Sequence, residues 1–98
     1  MINRERWAKM SLVEQMGNIG SEVGRAINAR DNPERRDAAI ERALDLFSAT
    51  AECHSGPRLR EILRSRDEFL RLFYGDSDDY DGVERYFYFF ALAARHGR

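Results

Sequence analysis

The chain of 98 residues has a single cysteine, two prolines and no excess of basic charge. Because one cysteine cannot form an intramolecular disulfide, Cys53 argues against a secreted, disulfide-stabilised domain. The 16 Lys and Arg residues nearly cancel the 17 Asp and Glu residues, so the basic footprint of a nucleic-acid-binding protein is missing. No apolar run approaches the roughly 18 residues of a membrane span, and the N-terminus lacks the apolar stretch of a signal peptide. We therefore expect a cytoplasmic chain that does not enter a membrane.

Motifs that carry chemistry are also missing from the sequence. There is no Gly-rich phosphate loop and no Ser-His-Asp set. His54 and His96 lie outside any Glu-x-x-His pair, and each fits the end of a helix, where the dipole favours it. The acidic loop at residues 76–81 fails the calcium-loop template, because Tyr80 and Asp81 occupy positions that need an oxygen ligand and a glycine. We expect no catalytic residue, no cofactor and no metal site.

The scarcity of helix breakers leaves room for long helices, and the remaining signals divide the chain into four. Ser11 and Glu14 form a capping box before helix one. Asn32 followed by Pro33 starts helix two, which runs to about residue 54. Helix three follows the sequence Ser55-Gly56-Pro57 and ends at Gly75, and helix four runs from about residue 82 to 95. We expect one domain over residues 1–98, with residues 1–10 as a lead-in that folds Trp7 back as a lid.

Each predicted helix carries an apolar stripe at helical spacing, and together the stripes predict an all-α fold, an antiparallel up-down four-helix bundle. The stripes comprise Leu12, Met16, Ile19, Val23 and Ile27 in helix one; Ile40, Ala43, Leu44, Phe47 and Ala51 in helix two; Leu59, Ile62, Leu63, Phe69, Leu70 and Phe73 in helix three; and Val83, Tyr86, Phe87, Phe90 and Ala94 in helix four.

Beside its apolar stripe, helix one carries Gly17, Gly20 and Gly24 on one side. Glycine costs about 1 kcal/mol relative to alanine inside a helix, so this pattern needs a compensation. A neighbouring backbone that packs closely would supply it, and a bend in the helix is the alternative. In an up-down bundle the first and last helices are neighbours, so we expect the glycines to face the aromatic rings of helix four.

Helix four contains five consecutive aromatic residues, Tyr86-Phe87-Tyr88-Phe89-Phe90. At about 3.6 residues per turn, five adjacent side chains point in all directions around the helix, and one core cannot cover all of them. Tyr88 and Phe89 fall on opposite sides of the inward stripe, about 100° or more from its centre. Either the chain's own residues cover Phe89, or another subunit does. We expect an interface formed by Tyr86, Tyr88, Phe89 and Phe90.

Helix three is rich in arginine. Arg66 lies among the apolar residues of the stripe, which predicts a buried charge that needs a carboxylate or an aromatic face. Glu22 is the partner we expect, and a pocket in which Arg66 binds an anionic ligand is the alternative. Arg60, Arg64 and Arg71 lie on the outer side, where they form either an ion-paired, solvated face or a contact with nucleic acid.

Several segments together resemble a group of small prokaryotic helical proteins without assigned activity. The matching segments are Ser11-Leu12-Val13-Glu14-Gln15, Asn18-Ile19-Gly20-Ser21-Glu22-Val23, Arg25-Ala26, Arg58-Leu59 with Glu61, Arg64 and Arg66, and Tyr86-Phe87 with Ala93-Ala94-Arg95. More distantly, residues 18–22 resemble in part the Asn-Ile-Ala-Glu-Gly signature of four-helix-bundle proteins encoded in ribosomal intervening sequences and of the accessory variability proteins of retroelements. That resemblance implies a bundle, self-association and a nucleic-acid partner, but the near-neutral charge departs from the basic pattern of those proteins.

Two functional hypotheses follow. The first is a non-enzymatic bundle that forms a homo-oligomer or docks a protein partner through the aromatic last helix. The alternative is a nucleic-acid-associated accessory protein that uses the arginines of helix three. An enzyme with a pocket around Arg66 forms a third class, for which the sequence offers least support.

Overall fold

A computed structural model describes residues 2–96, and these residues form five helices and no strand. The helices are α1 (Arg4–Ala8), α2 (Leu12–Asn28), α3 (Pro33–Ala51), α4 (Gly56–Tyr74) and α5 (Tyr80–His96). The prediction of an all-α fold is confirmed. Helices α2 to α5 correspond to predicted helices one to four, and α1 is the short helical lead-in.

The predicted starts of α2 and α3 are confirmed by their capping hydrogen bonds. Ser11 Oγ accepts from the backbone N–H of Glu14 at 3.1 Å, and the Glu14 carboxylate accepts from the backbone N–H of Ser11 at 3.2 Å. The Asn32 side chain caps α3 ahead of Pro33, where it accepts from the backbone N–H of Arg35. These contacts satisfy amide groups that the helices cannot pair internally.

Helix α2 lies at the centre of the packing, in contact with both α3 and α5, while α4 packs mainly on α3 and α1 packs on α3. The Cα radius of gyration is 12.9 Å, close to the value of about 13 Å expected for a folded domain of 100 residues. Phe47 of α3 joins three helices, because its ring centroid lies 6.1 Å from that of Phe69 on α4 and 6.0 Å from that of Phe87 on α5. The neighbourhood of the first and last long helices, predicted from the glycine pattern, is confirmed.

Helix α5 begins two residues before the predicted start, at Tyr80. Asp79 accepts from the backbone N–H of Gly82 at 3.1 Å, so an aspartate of the acidic loop caps the helix. The Tyr80 hydroxyl donates to the carbonyl of Leu72 at 3.3 Å, and its ring meets Phe73 edge to face. These two contacts anchor the first turn of α5 to the end of α4.

The predicted buried charge at Arg66 is wrong, because Arg66 is exposed. The buried stripe of α4 consists of Ile62, Ser65, Phe69 and Leu72, which is rotated from the predicted stripe and leaves Leu63 39% exposed. Ser65 tolerates burial because its hydroxyl donates to the carbonyl of Ile62 at 2.8 Å. A serine can hide in a core by bonding its own helix backbone, whereas an arginine cannot.

The expected partner of Arg66, Glu22, is used by other arginines. Its carboxylate oxygens bind Arg25 on the same helix and Arg42 on α3, the latter at 2.9 Å. Glu22 therefore links α2 to α3 and has no part in an Arg66 site.

Candidate interaction surface on α5

The five consecutive rings of α5 are divided between the core and the surface. Phe87 is 2% exposed, and Tyr86 and Phe90 are half-buried beside it. Tyr88 is 56% exposed and Phe89 is 65% exposed. Of the four residues predicted to form an interface, two therefore present most of their ring to solvent, while the other two are partly used inside the chain.

Tyr86 is held by α4. Its hydroxyl donates to the Glu61 carboxylate, which also accepts two hydrogen bonds from Arg64, and the Arg64 guanidinium lies 5.6 Å from the centre of the Tyr86 ring. The hydrogen bonds from Arg64 and then Tyr86 lower the pKa of Glu61. Burial and the neighbouring Glu61 carboxylate raise the pKa of the Tyr86 phenol. These contacts join α4 to α5 and hold Tyr86 at one edge of the exposed rings of Tyr88 and Phe89.

Phe87 faces the glycines of α2. A Cβ built on Gly20 would lie 2.9 Å from the Phe87 Cβ, and one built on Gly17 would lie 3.5 Å from the Ala91 Cα. One built on Gly24 would lie 3.8 Å from a Glu84 carboxylate oxygen. The predicted close packing between the glycines of α2 and α5 is confirmed, but only Gly20 meets an aromatic side chain, whereas Gly17 and Gly24 lie closest to Ala91 and Glu84. This packing covers Phe87.

Tyr88 borders a shallow groove of about 230 Å³ between α2 and α5. Besides Tyr88, the groove is lined by four residues of α2 and four of α5, namely Gly17, Gly20, Ser21, Gly24, Glu84, Phe87, Ala91 and Arg95. It leaves open space beside the exposed Tyr88 ring. Phe89 follows about 100° further round the helix, on the outer side.

The predicted nucleic-acid contacts, Arg60, Arg64 and Arg71, are all exposed on α4. Arg64 pairs with Glu61, and Arg71 pairs with Asp76 at 2.9 Å and with Glu68. Among the described residues, Arg60 is the member of the three without an ion pair. The positive charge of these arginines is therefore largely neutralised by carboxylates of α4 and of the following loop.

A cleft of about 220 Å³ lies between α4 and α5 and is lined in part by Arg64, Glu68 and Asp79. Arg66 does not line it. Across residues 2–96, no group of three or more His, Cys, Asp or Glu side chains is placed to hold a metal ion.

A buried polar network, which no sequence pattern predicted, joins α1 to the first turn of α2 and to the end of α3. Trp7 is 7% exposed, and its indole N–H donates to Thr50 Oγ1 of α3 at 2.9 Å. The Gln15 amide donates to the backbone carbonyl of Trp7 at 2.9 Å, and its oxygen lies 2.8 Å from His54 Nε2. Because that oxygen can only accept, His54 donates from Nε2. Gln15 within the apolar face of α2 was the available signal.

Partial burial and then the positive charge of Arg58 lower the pKa of His54. The network therefore contains His54 in its neutral form at neutral pH. It fastens α1 to α2 and α3, with the Trp7 ring buried against them.

Within residues 2–96, no helix is both long and apolar enough to span a membrane. Comparison of the chain with protein-family models, with curated proteins and with solved structures found no significant match.

Proposed function

We propose that the chain is a non-enzymatic, cytoplasmic helical bundle that self-associates through α5, with Tyr88 and Phe89 at the centre of the interface and Tyr86 and Phe90 at its edge. The observation that carries this proposal is the exposure of two adjacent large rings, 56% at Tyr88 and 65% at Phe89. Aromatic side chains are enriched at protein interfaces, and exposed apolar patches often mark them. A phenylalanine ring has no polar group that can bond to water. Association is therefore favourable because it buries Phe89.

The proposed architecture is a single domain in which α2 to α5 form an antiparallel up-down bundle and α1 closes one end. Two sets of contacts support it. Gly17, Gly20 and Gly24 meet α5 in descending order, at residues 91, 87 and 84. The bonds that join α4 to α5 also run in opposite order, from residue 72 to 80 and from residue 61 to 86.

The size of the surface predicts a modest affinity. Helix α5 has 17 residues and is about 25 Å long, and an α-helix is about 10 Å across with its side chains. A contact made by this helix alone is smaller than the roughly 800 Å² per partner of a standard interface. We therefore expect a weak dissociation constant, on the order of 0.1 mM, so the measurement has to reach about 1 mM protein.

Sedimentation equilibrium of wild type and of Phe89→Asp tests the proposal. A charge at the centre of an apolar contact opposes association because it must be buried without a partner. The variant should therefore stay monomeric at concentrations where wild type associates. Tyr74→Asp is the matched control, because Tyr74 is an aromatic residue of α4 that is 70% exposed. It should associate like wild type. A monomeric wild type, or a loss of association in the control alone, would refute the proposal.

Nucleic-acid association through Arg60, Arg64 and Arg71 is the less supported alternative, because two of these arginines are already ion-paired. Its signature would be RNA or DNA binding that weakens steeply with salt and falls when the three become alanine.

A further inference from the structure

We infer that the occupant of the α5 surface is a second copy of this chain, with the two α5 helices antiparallel across a two-fold axis between Tyr88 and Phe89. The inference rests on the proposed function and deepens it by naming the partner and its orientation. Its basis is the placement of Asp81 and Arg95 at opposite ends of the exposed face of α5, with Arg85, which is also exposed, one turn after Asp81.

Asp81, Tyr88 and Arg95 form one line on α5. They are seven residues apart, and because seven residues make nearly two full turns, their side chains leave the helix on the same side. All three are exposed. Asp81 and Arg95 each lie about 10.5 Å along the axis from Tyr88, in opposite directions. In the part of the chain that the structure describes, neither forms an ion pair.

An antiparallel copy matches this line. When two α5 helices cross antiparallel between Tyr88 and Phe89, the two Tyr88 rings lie side by side across the two-fold axis, as do the two Phe89 rings, and Asp81 of each copy lies opposite Arg95 of the other. The interface is then isologous, with the Asp81–Arg95 pair formed twice. A parallel arrangement places like charges together at both ends, which is unfavourable. The charge order therefore selects the antiparallel arrangement.

Charge reversal tests the orientation. In the antiparallel pair, Asp81→Arg places arginine opposite Arg95, and Arg95→Asp places aspartate opposite Asp81. Each single variant should weaken dimerisation about tenfold, since two exposed ion pairs become repulsive, and the double variant should return to within about threefold of wild type. In a parallel dimer, each single variant only exchanges one like-charge pair for another. Unchanged association of the single variants would overturn the inference.

Cross-linking gives an independent test in a Cys53→Ser background, because the native Cys53 is exposed. Packed helix axes are about 8–10 Å apart, too far for many disulfides, so a short bis-maleimide is the suitable reagent. A mixture of Asp81→Cys and Arg95→Cys chains should give cross-linked heterodimers. Either chain alone should not, because its two cysteines lie about 21 Å apart along the axis. Efficient cross-linking of Asp81→Cys with itself would overturn the antiparallel arrangement.

The failure of this inference is distinguishable from the failure of the proposed function. A wild type that never associates removes both. A dimer that Phe89→Asp splits, but that ignores charge reversal and shows no mixed cross-link, removes the antiparallel arrangement and leaves the proposed function standing.

Discussion

Phe87 of α5 packs directly on Gly20 of α2, so closely that a methyl group at Gly20 would lie 2.9 Å from the Phe87 Cβ. Neither atom belongs to the flexible end of a side chain, so a methyl group here has to push the two helices apart. This contact sets the rotation of α5, and the rotation in turn leaves Tyr88 and Phe89 on the outside.

We expect Gly20→Ala to destabilise the fold by about 1–3 kcal/mol, because the overpacking outweighs the gain of about 1 kcal/mol in helix propensity. Gly24→Ala is the matched control on the same face, since its added Cβ has its nearest neighbour at 3.8 Å. It should raise the free energy of unfolding by about 0.5–1 kcal/mol. Urea denaturation compares the two, and a Gly20→Ala chain as stable as Gly24→Ala would contradict the close contact.

The hydrogen bond from Trp7 to Thr50 ties α1 to α3. Trp7→Phe removes the donor and should cost about 1–2 kcal/mol, while Thr50→Val leaves the indole N–H buried and unpaired, at a cost of about 1–3 kcal/mol. In a double-mutant cycle the coupling between the two sites should be about 1 kcal/mol. Urea denaturation of the four chains supplies the cycle. Strictly additive losses would show that the two groups do not interact.

His54 should make the stability depend on pH below neutrality. Its folded-state pKa lies below the unfolded value of about 6.5, so its contribution is complete above that pH. As pH falls below about 6.5, the unfolded chain binds a proton that the folded chain resists, and stability is lost until the folded-state pKa is passed. Glu61, whose pKa is also lowered, loses its contribution in a separate window, as pH falls below its unfolded value of about 4.3.

The measurement for His54 is the free energy of unfolding between about pH 7.5 and 5. His54→Gln keeps a donor toward Gln15 but does not titrate, so its profile should be flatter than that of wild type. His96→Gln is the matched control, because His96 is exposed at the end of α5 and takes no part in the network. An equally steep profile for His54→Gln would contradict this assignment.

Much of the fold is predictable from sequence because the signals are local. Ser11, Asn32 and the apolar stripes each act within one or two turns, so they place the long helices with small shifts in their ends. The up-down arrangement predicted that the first and last long helices are neighbours, and the glycines of α2 favoured close packing over a bend.

The register of α4 was not predictable in the same way. Its apolar residues cover two adjacent faces, and the helices packed against it decide which face is buried. Ile62 and Phe69 are buried as core residues, Leu63 is 39% exposed, and Ser65 is buried where the sequence predicted Arg66. The network of Trp7, Gln15, Thr50 and His54 joins residues up to 43 positions apart, and no local pattern encodes such pairs.

The exposed rings of α5 were predictable in part. The number of adjacent rings predicts that some must face outward, and the structure has Tyr88 and Phe89 exposed. In the proposed dimer a second copy covers them, and such a contact depends on two surfaces rather than on a local sequence pattern.

The most direct test of self-association through α5 is the solution mass of wild type and Phe89→Asp at concentrations up to about 1 mM. We expect the wild-type mass to rise with concentration toward twice the 11.4 kDa chain mass, and Phe89→Asp to stay at the chain mass with an unchanged circular dichroism spectrum. A wild type that remains at 11.4 kDa throughout, or a Phe89→Asp chain that associates equally well, would contradict the account.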